Sequence, residues 1–214
     1  MGKLSRGFLG GFQGQMGTGY GCFWRQMDLI KAMPRKVKRP PTAAQLPVQL
    51  KFTLMTSFLK RLGRVVKVGF QNAASNQSGM NAAVKYNIEK AITGTSPNFT
   101  INFAELKFSD GTLPEALGAN VVVDTPATVK YSWASAPVGF ENGEPTDKAT
   151  FVVYNPDKDK FVILSGVIAR SALAYNLSVL PDWAGDEVHC YMSMTSADGK
   201  LVGNSQYLGP FTLL

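Results

Sequence analysis

Two hydrophobic periods divide most of the chain. Past Pro41, apolar residues recur every three or four positions. Phe52, Met55, Leu59 and Leu62 form one stripe, with Leu54 and Phe58 alongside, and the spacing predicts a helix. Thr42 followed by Gln45 has the form of a capping box, and Pro47 predicts a kink or a delayed start. A second helix is predicted from a Ser78 cap through Met80, Val84, Ile88, Ala91 and Ile92, stopping at Gly94. From Asn98 the period falls to two. The segments FTINFAELKF, ANVVV, TVKYSWA, ATFVVYN, KFVILSG, SALAYNLSV and EVHCYMSMT are short and rich in β-branched and aromatic residues, with turn clusters such as PDKD and ADG between them. Seven strands at this spacing favour an antiparallel sandwich over a barrel or a parallel sheet, with Trp133 as a buried anchor.

The first 41 residues follow neither period. Seven glycines stand within the fifteen positions from Gly7 to Gly21, too many for a stable helix and too few side chains for a self-sufficient strand. Aromatic residues are set among and just after them, so this stretch needs a partner. Met33-Pro34 and Arg39-Pro40-Pro41 then impose extended backbone on a basic strap. The expected organisation is a glycine-rich, basic, extended arm (1–41), a helical segment with a strand (42–111) and a β-sandwich (112–214). The fold class is therefore α+β, mainly β.

Charge sharpens that division. Residues 1–70 hold thirteen Lys and Arg against the single acid Asp28, whereas residues 71–214 hold nine bases and fourteen acids. Such a basic end suits nucleic acid, an anionic surface or the acidic end of a second copy. At 214 residues and 45% hydrophobic content, the chain can bury one good core or one core with an appendage. No run of about 18 apolar residues suggests a membrane helix, glycine interrupts any conventional signal peptide, and Gln13, Gln15 and Arg25 break any membrane-inserting face. Cys22 and Cys190 form no CxxC pair, so the expected setting is the cytoplasm or an assembled particle.

The stretches LPEALGANVVV, TVKYSWASAP, ATFVVYN and LSVLPDWAGDEVHCYMSMTSADGKLVGNSQYL resemble a fibronectin type III domain over residues 112–214. They share its Trp on the second strand, its Leu-Pro turn before the sixth and its hairpin before the last. Over nearly the full length the chain also resembles an uncharacterised Bacteroidota family, the domain of unknown function 6266. The glycine-rich start with Trp24, MPRKVKRPPTAAQL, NAAVKYNIEKAITG, VVYNPDK and SADGKLVGNSQYLG carry that resemblance, which implies no known activity.

No residue pattern points to catalysis. His189 is the single histidine, and strand alternation places it with Tyr191 opposite Val188, Cys190, Met192 and Met194, as a surface residue. One His and two separated Cys cannot supply a metal set. Cys190 reads as a core thiol and Cys22 as the more exposed one. GFLGGFQG lacks the Lys-Ser/Thr of a phosphate loop. The expected function is non-enzymatic: a structural subunit that self-assembles into an oligomer, a filament or a phage-like particle, without cofactor or small-molecule substrate. Phe8, Phe12, Tyr20, Phe23 and Trp24 are its candidate anchors on a neighbouring copy, and Arg35, Lys36, Lys38 and Arg39 its electrostatic strap. The alternative is nucleic-acid binding by the basic half, with the clusters at 35–39 and 60–67 on phosphates and Phe23 or Trp24 stacked on bases.

Overall fold

A computed structural model describes residues 3–4, 10–33, 40–73, 77–135 and 143–214, with side chains from residue 10 onward. The chain divides into two compact units, Met1–Thr42 and Ala43–Leu214.

In the first unit, β1 (Lys3–Leu4), β2 (Phe12–Met16), β3 (Gly19–Trp24) and β4 (Met27–Ala32) follow one another in an antiparallel sheet of order β1-β2-β3-β4. The expected extended arm is thus replaced, over residues 12–32, by hairpins that pair with each other. Ladder hydrogen bonds satisfy backbone that an isolated arm would leave to water. The glycines permit this because Phe12 lies across β3: a Cβ on Gly21 would overlap the Phe12 carbonyl and ring.

The second unit begins with α1 (Gln45–Arg61), α2 (Gly63–Gly69) and α3 (Gly79–Lys90), three helices where periodicity predicts two. Ala44, not Thr42, occupies the N-cap of α1 and makes no side-chain cap hydrogen bond. The start is therefore delayed to Gln45, and Pro47 falls in the first turn, where its missing N–H had no intrahelical partner to lose. Phe52, read from its spacing as core, is 55% exposed, while Met55, Phe58, Leu59 and Leu62 are buried. Ser78 caps α3 as expected, its side chain accepting from Asn81 N at 3.2 Å. That helix stops at Lys90 instead of running to Gly94. The chain continues into the hairpin of β5 (Ile92–Thr95) and β6 (Asn98–Ile101), in which Gly94 adopts φ +92°.

The expected strand over 99–108 is broken after Ile101 by a 3₁₀ turn at Phe103–Glu105. Asn87, fully buried on α3, explains the path beyond it. Its amide donates to Lys107 O at 2.6 Å and to Ala83 O at 2.9 Å, and its carbonyl accepts from Lys107 N at 2.8 Å. These bonds hold the segment across the helices, where Leu106 and Phe108 are buried.

The remaining strands are β7 (Leu117–Thr125), β8 (Thr128–Ala134), β9 (Lys148–Asn155), β10 (Lys160–Ala169), β11 (Ala174–Ser178), β12 (Glu187–Thr195) and β13 (Gln206–Thr212). They form two antiparallel sheets, β11-β8-β7 and β10-β9-β12-β13. The last strand takes the place lost at 99–108. Short 3₁₀ turns recur at Arg170–Ala172 and Pro181–Trp183, so helical turns are not confined to the N-terminal half.

Alternation along β9 sorts two cores. Ala149, Phe151 and Val153 pack with Val129, Tyr131, Trp133 and Cys190 between the sheets. Val152 and Tyr154 face the other way and join Tyr191 against Met55, Phe58, Leu59 and Val66 of the helices. The four-stranded sheet is the middle of three layers, covered on both faces. Trp133 is the anchor expected of it, 5% exposed, with its indole N–H donating to Arg170 O at 2.7 Å.

Candidate functional site

The exposed apolar residues concentrate in the N-terminal sheet. Strand register places Gly21 opposite Ile30 and Phe23 opposite Asp28 on one face, and Tyr20 opposite Lys31, Cys22 opposite Leu29 and Trp24 opposite Met27 on the other. Both faces are open. Ile30 is 75% exposed, Met16 67%, Phe23 48% and Trp24 46%. Of the candidate anchors, Phe12 is half-buried over Gly21, Phe23 shares its face, and Tyr20 and Trp24 point to the opposite one. The sheet therefore does not gather them into one patch. Phe8, Arg35, Lys36, Lys38 and Arg39 lie outside the described residues.

Two residues that sequence reasoning passed over, Met16 and Ile30, are more exposed than those it chose, and Met33 is nearly as exposed. Met16, Ile30 and Met33 lack aromatic rings, and an aromatic count misses them. No periodic signal in the sequence singles them out, and only the strand register exposes them. At the β3–β4 tip, Arg25 (φ +47°) and Gln26 (φ +67°) both adopt left-handed backbone in a two-residue turn, a geometry that favours Asn-Gly. The Arg25 guanidinium sits 5.5 Å from the Trp24 ring centroid. A Trp and an Arg held side by side on a strained tip are residue types that dominate binding energy at interfaces.

The groups with chemical potential in the second unit are committed to the fold. His189, expected at the surface, is 9% exposed because Phe103 and Tyr207 cover its side of β12. Its ring stacks on Phe103 at 4.2 Å between centroids, and Nδ1 shares a 2.9 Å hydrogen bond with the Tyr207 hydroxyl. Burial lowers its pKa, outweighing the attraction of Glu187 for the charged form. Cys190 is fully buried, and burial pushes its thiol up to about 12. Cys22 is half-buried.

Arg170 and Asp147 form a buried ion pair, N to O 3.1 Å, and the guanidinium also donates to Pro114 O and Glu115 O. Those donors are satisfied by protein acceptors, as a structural pair requires. Among the described residues, no three His, Cys, Asp or Glu converge as a metal site would need. No described helix is long and apolar enough to cross a membrane.

The chain belongs to the family of unknown function DUF6266, whose profile matches residues 11–209. No curated protein matches it. Among solved structures, one titled "Myokine structure" is similar to part of the chain at 12% identity, covering 48% of this chain and 98% of that one with a TM-score of 0.35.

Proposed function

We propose that this family member is a non-enzymatic structural subunit whose N-terminal glycine-rich sheet docks on a neighbouring copy. One observation carries the reading: a sheet in a unit of 42 residues leaves apolar side chains exposed on both faces. A unit of that size buries too little surface to stand alone without disulfides, metal or association, and Cys22 is its only cysteine. Large apolar side chains left open on both faces of one small sheet support an interaction surface. The commitment of His189 and Cys190 to packing supports a role other than catalysis. For the body, the order β11-β8-β7 facing β10-β9-β12-β13 supports a fibronectin type III-like sandwich, a scaffold on which function depends on the surfaces added to it.

Nucleic acid is the second reading. The Trp24–Arg25 pair combines a stacking face with a cation on the basic side of the chain. Light scattering and negative-stain microscopy of the nuclease-treated full-length protein, at low and high salt, separate the two. Nuclease-resistant rings, tubes or filaments built from the 23.2 kDa chain, and a correspondingly lighter monomer on deletion of residues 1–33, are the expected result. A monomer at every concentration, or a deletion variant that still polymerises, overturns sheet docking. Co-purifying nuclease-sensitive material transfers the role to nucleic acid.

A further inference from the structure

The outer strands of the two C-terminal sheets are unequally protected. Strand β13 carries Gly209 at φ +115° followed by Pro210, β7 has two register shifts, and β11 is five residues long. Proline, bulges and shortness are the usual ways of blunting an edge. Strand β10 has none of them over Lys160–Ser165, where its register with β9 is unbroken and it is the outermost strand of its sheet. Only beyond Ser165, at Gly166 (φ +67°) and the 65% exposed Val167, does the edge bend.

A groove of about 690 Å³ runs beside this open edge, lined by Lys60, Arg61 and Arg64 from the α1–α2 turn and by Ile163 and Ser165 of β10. Arg61 is fixed there. Its Nη1 lies 2.5 Å from Asp159 Oδ2, and its guanidinium stands over Phe58 and Phe161 at 5.5 and 5.4 Å from the ring centroids. The Tyr154 hydroxyl donates to the other Asp159 oxygen at 2.8 Å, which holds the carboxylate in place beside Arg61. Lys60 and Arg64 form no ion pair with any described residue, so two uncompensated positive charges overlook the edge.

We propose that this groove binds an extended acidic peptide of a partner protein, which adds to the sheet as a strand beside β10. Its carboxylates meet Lys60 and Arg64. Strand geometry fixes the pattern of the ligand. Phe161, Ile163 and Ser165 face the helical side, so alternate residues of an added strand face the same cations and should be Asp or Glu. The residues between them lie alongside Val162 and Leu164, which pack against the inter-sheet core, and should be apolar. Nucleic acid fits less well, because the nearby rings, Phe58 and Phe161, already carry the Arg61 guanidinium and Phe58 is buried, which leaves no open face for a base.

The test uses the full chain and a fluorescein-labelled octapeptide of alternating Glu and Val. Controls are a scrambled peptide of the same composition, a Lys-for-Glu peptide and a single-stranded oligodeoxynucleotide of equal charge. Anisotropy should show saturable binding of the alternating peptide, at least about tenfold weaker binding of every control, and a comparable loss in Lys60→Glu/Arg64→Glu. Both substituted side chains are exposed, and an unchanged thermal midpoint verifies that the variant is folded. Hydrogen exchange should slow at Lys160–Ser165 when peptide is bound. Equal binding of the scrambled peptide, tighter binding of the oligonucleotide, or unchanged exchange in β10 overturns the proposal.

Discussion

Two four-stranded antiparallel sheets in one chain have opposite fates. The N-terminal sheet leaves residues exposed on both faces, whereas the sheet β10-β9-β12-β13 has the helices on one face and the three-stranded sheet on the other. Their sequences explain much of the difference. Strand β9 reads KATFVVYN, in which every residue from Ala149 to Asn155 is buried, and such a near-continuous apolar run suits a sheet covered twice. Strand β3 reads GYGCFW, whose glycines bring strands and rings close but provide no bulk to fill a core. One sheet is covered on both faces by its own chain, and the other leaves apolar side chains exposed on both.

The sharpest contrast is between two phenylalanines. Phe151 is fully buried, with Tyr131 at 4.5 Å and Trp133 at 5.9 Å between ring centroids. Phe151→Ala should cost about 3–5 kcal/mol, read as a large drop in the urea midpoint. Phe23→Ala should change that midpoint by no more than about 0.5 kcal/mol while reducing the assembled fraction in light scattering. If Phe23→Ala instead unfolds the monomer, the N-terminal sheet has a core of its own and the comparison fails.

A smaller effect tests the double coverage of the middle sheet. His189 is buried with its pKa lowered from the ordinary 6.5, mainly by desolvation. The unfolded chain therefore takes up a proton at a higher pH than the folded one. Stability is full above the ordinary value and declines as pH falls below it, until the folded-state pKa is passed. Urea midpoints between pH 7.5 and pH 5 should show this slope in the wild type and a flatter one in His189→Gln. Identical slopes would mean that His189 is solvated, and that Phe103 and Tyr207 do not seal this part of the face.

These residues also mark what the sequence could reveal. The Ser78 cap, the Trp133 anchor and the Cys190 core thiol depend on local pattern, and local pattern was enough. His189 depends on what covers the second face of β12. Alternation separates two faces but cannot say that helices from residues 45–69 return to cover one of them. The same limit hid the end of α3, where pairing of Ile92–Thr95 with Asn98–Ile101 overrode a continuing helical period. In the N-terminal unit glycine content ruled out a helix, but composition could not distinguish a hairpin from an arm. The side chains left most open, Ile30 and Met16, became visible only once the register was known.

The smallest effect concerns the tip of the exposed sheet. Gln26 holds φ +67°, a conformation that disfavours residues with a Cβ and that glycine adopts freely. Gln26→Gly keeps Arg25 over Trp24 and should stabilise the β3–β4 hairpin by about 0.5–1 kcal/mol, with no change in the unfolding midpoint of Ala43–Leu214. Hydrogen exchange of the Gly19–Ala32 amides should slow correspondingly. A tip that no longer opposes its own turn is better organised before docking, so the assembly threshold in light scattering should fall to lower protein concentration. If exchange slows but the threshold stays fixed, the hairpin is already fully formed when copies meet, and its bare faces alone set the strength of association.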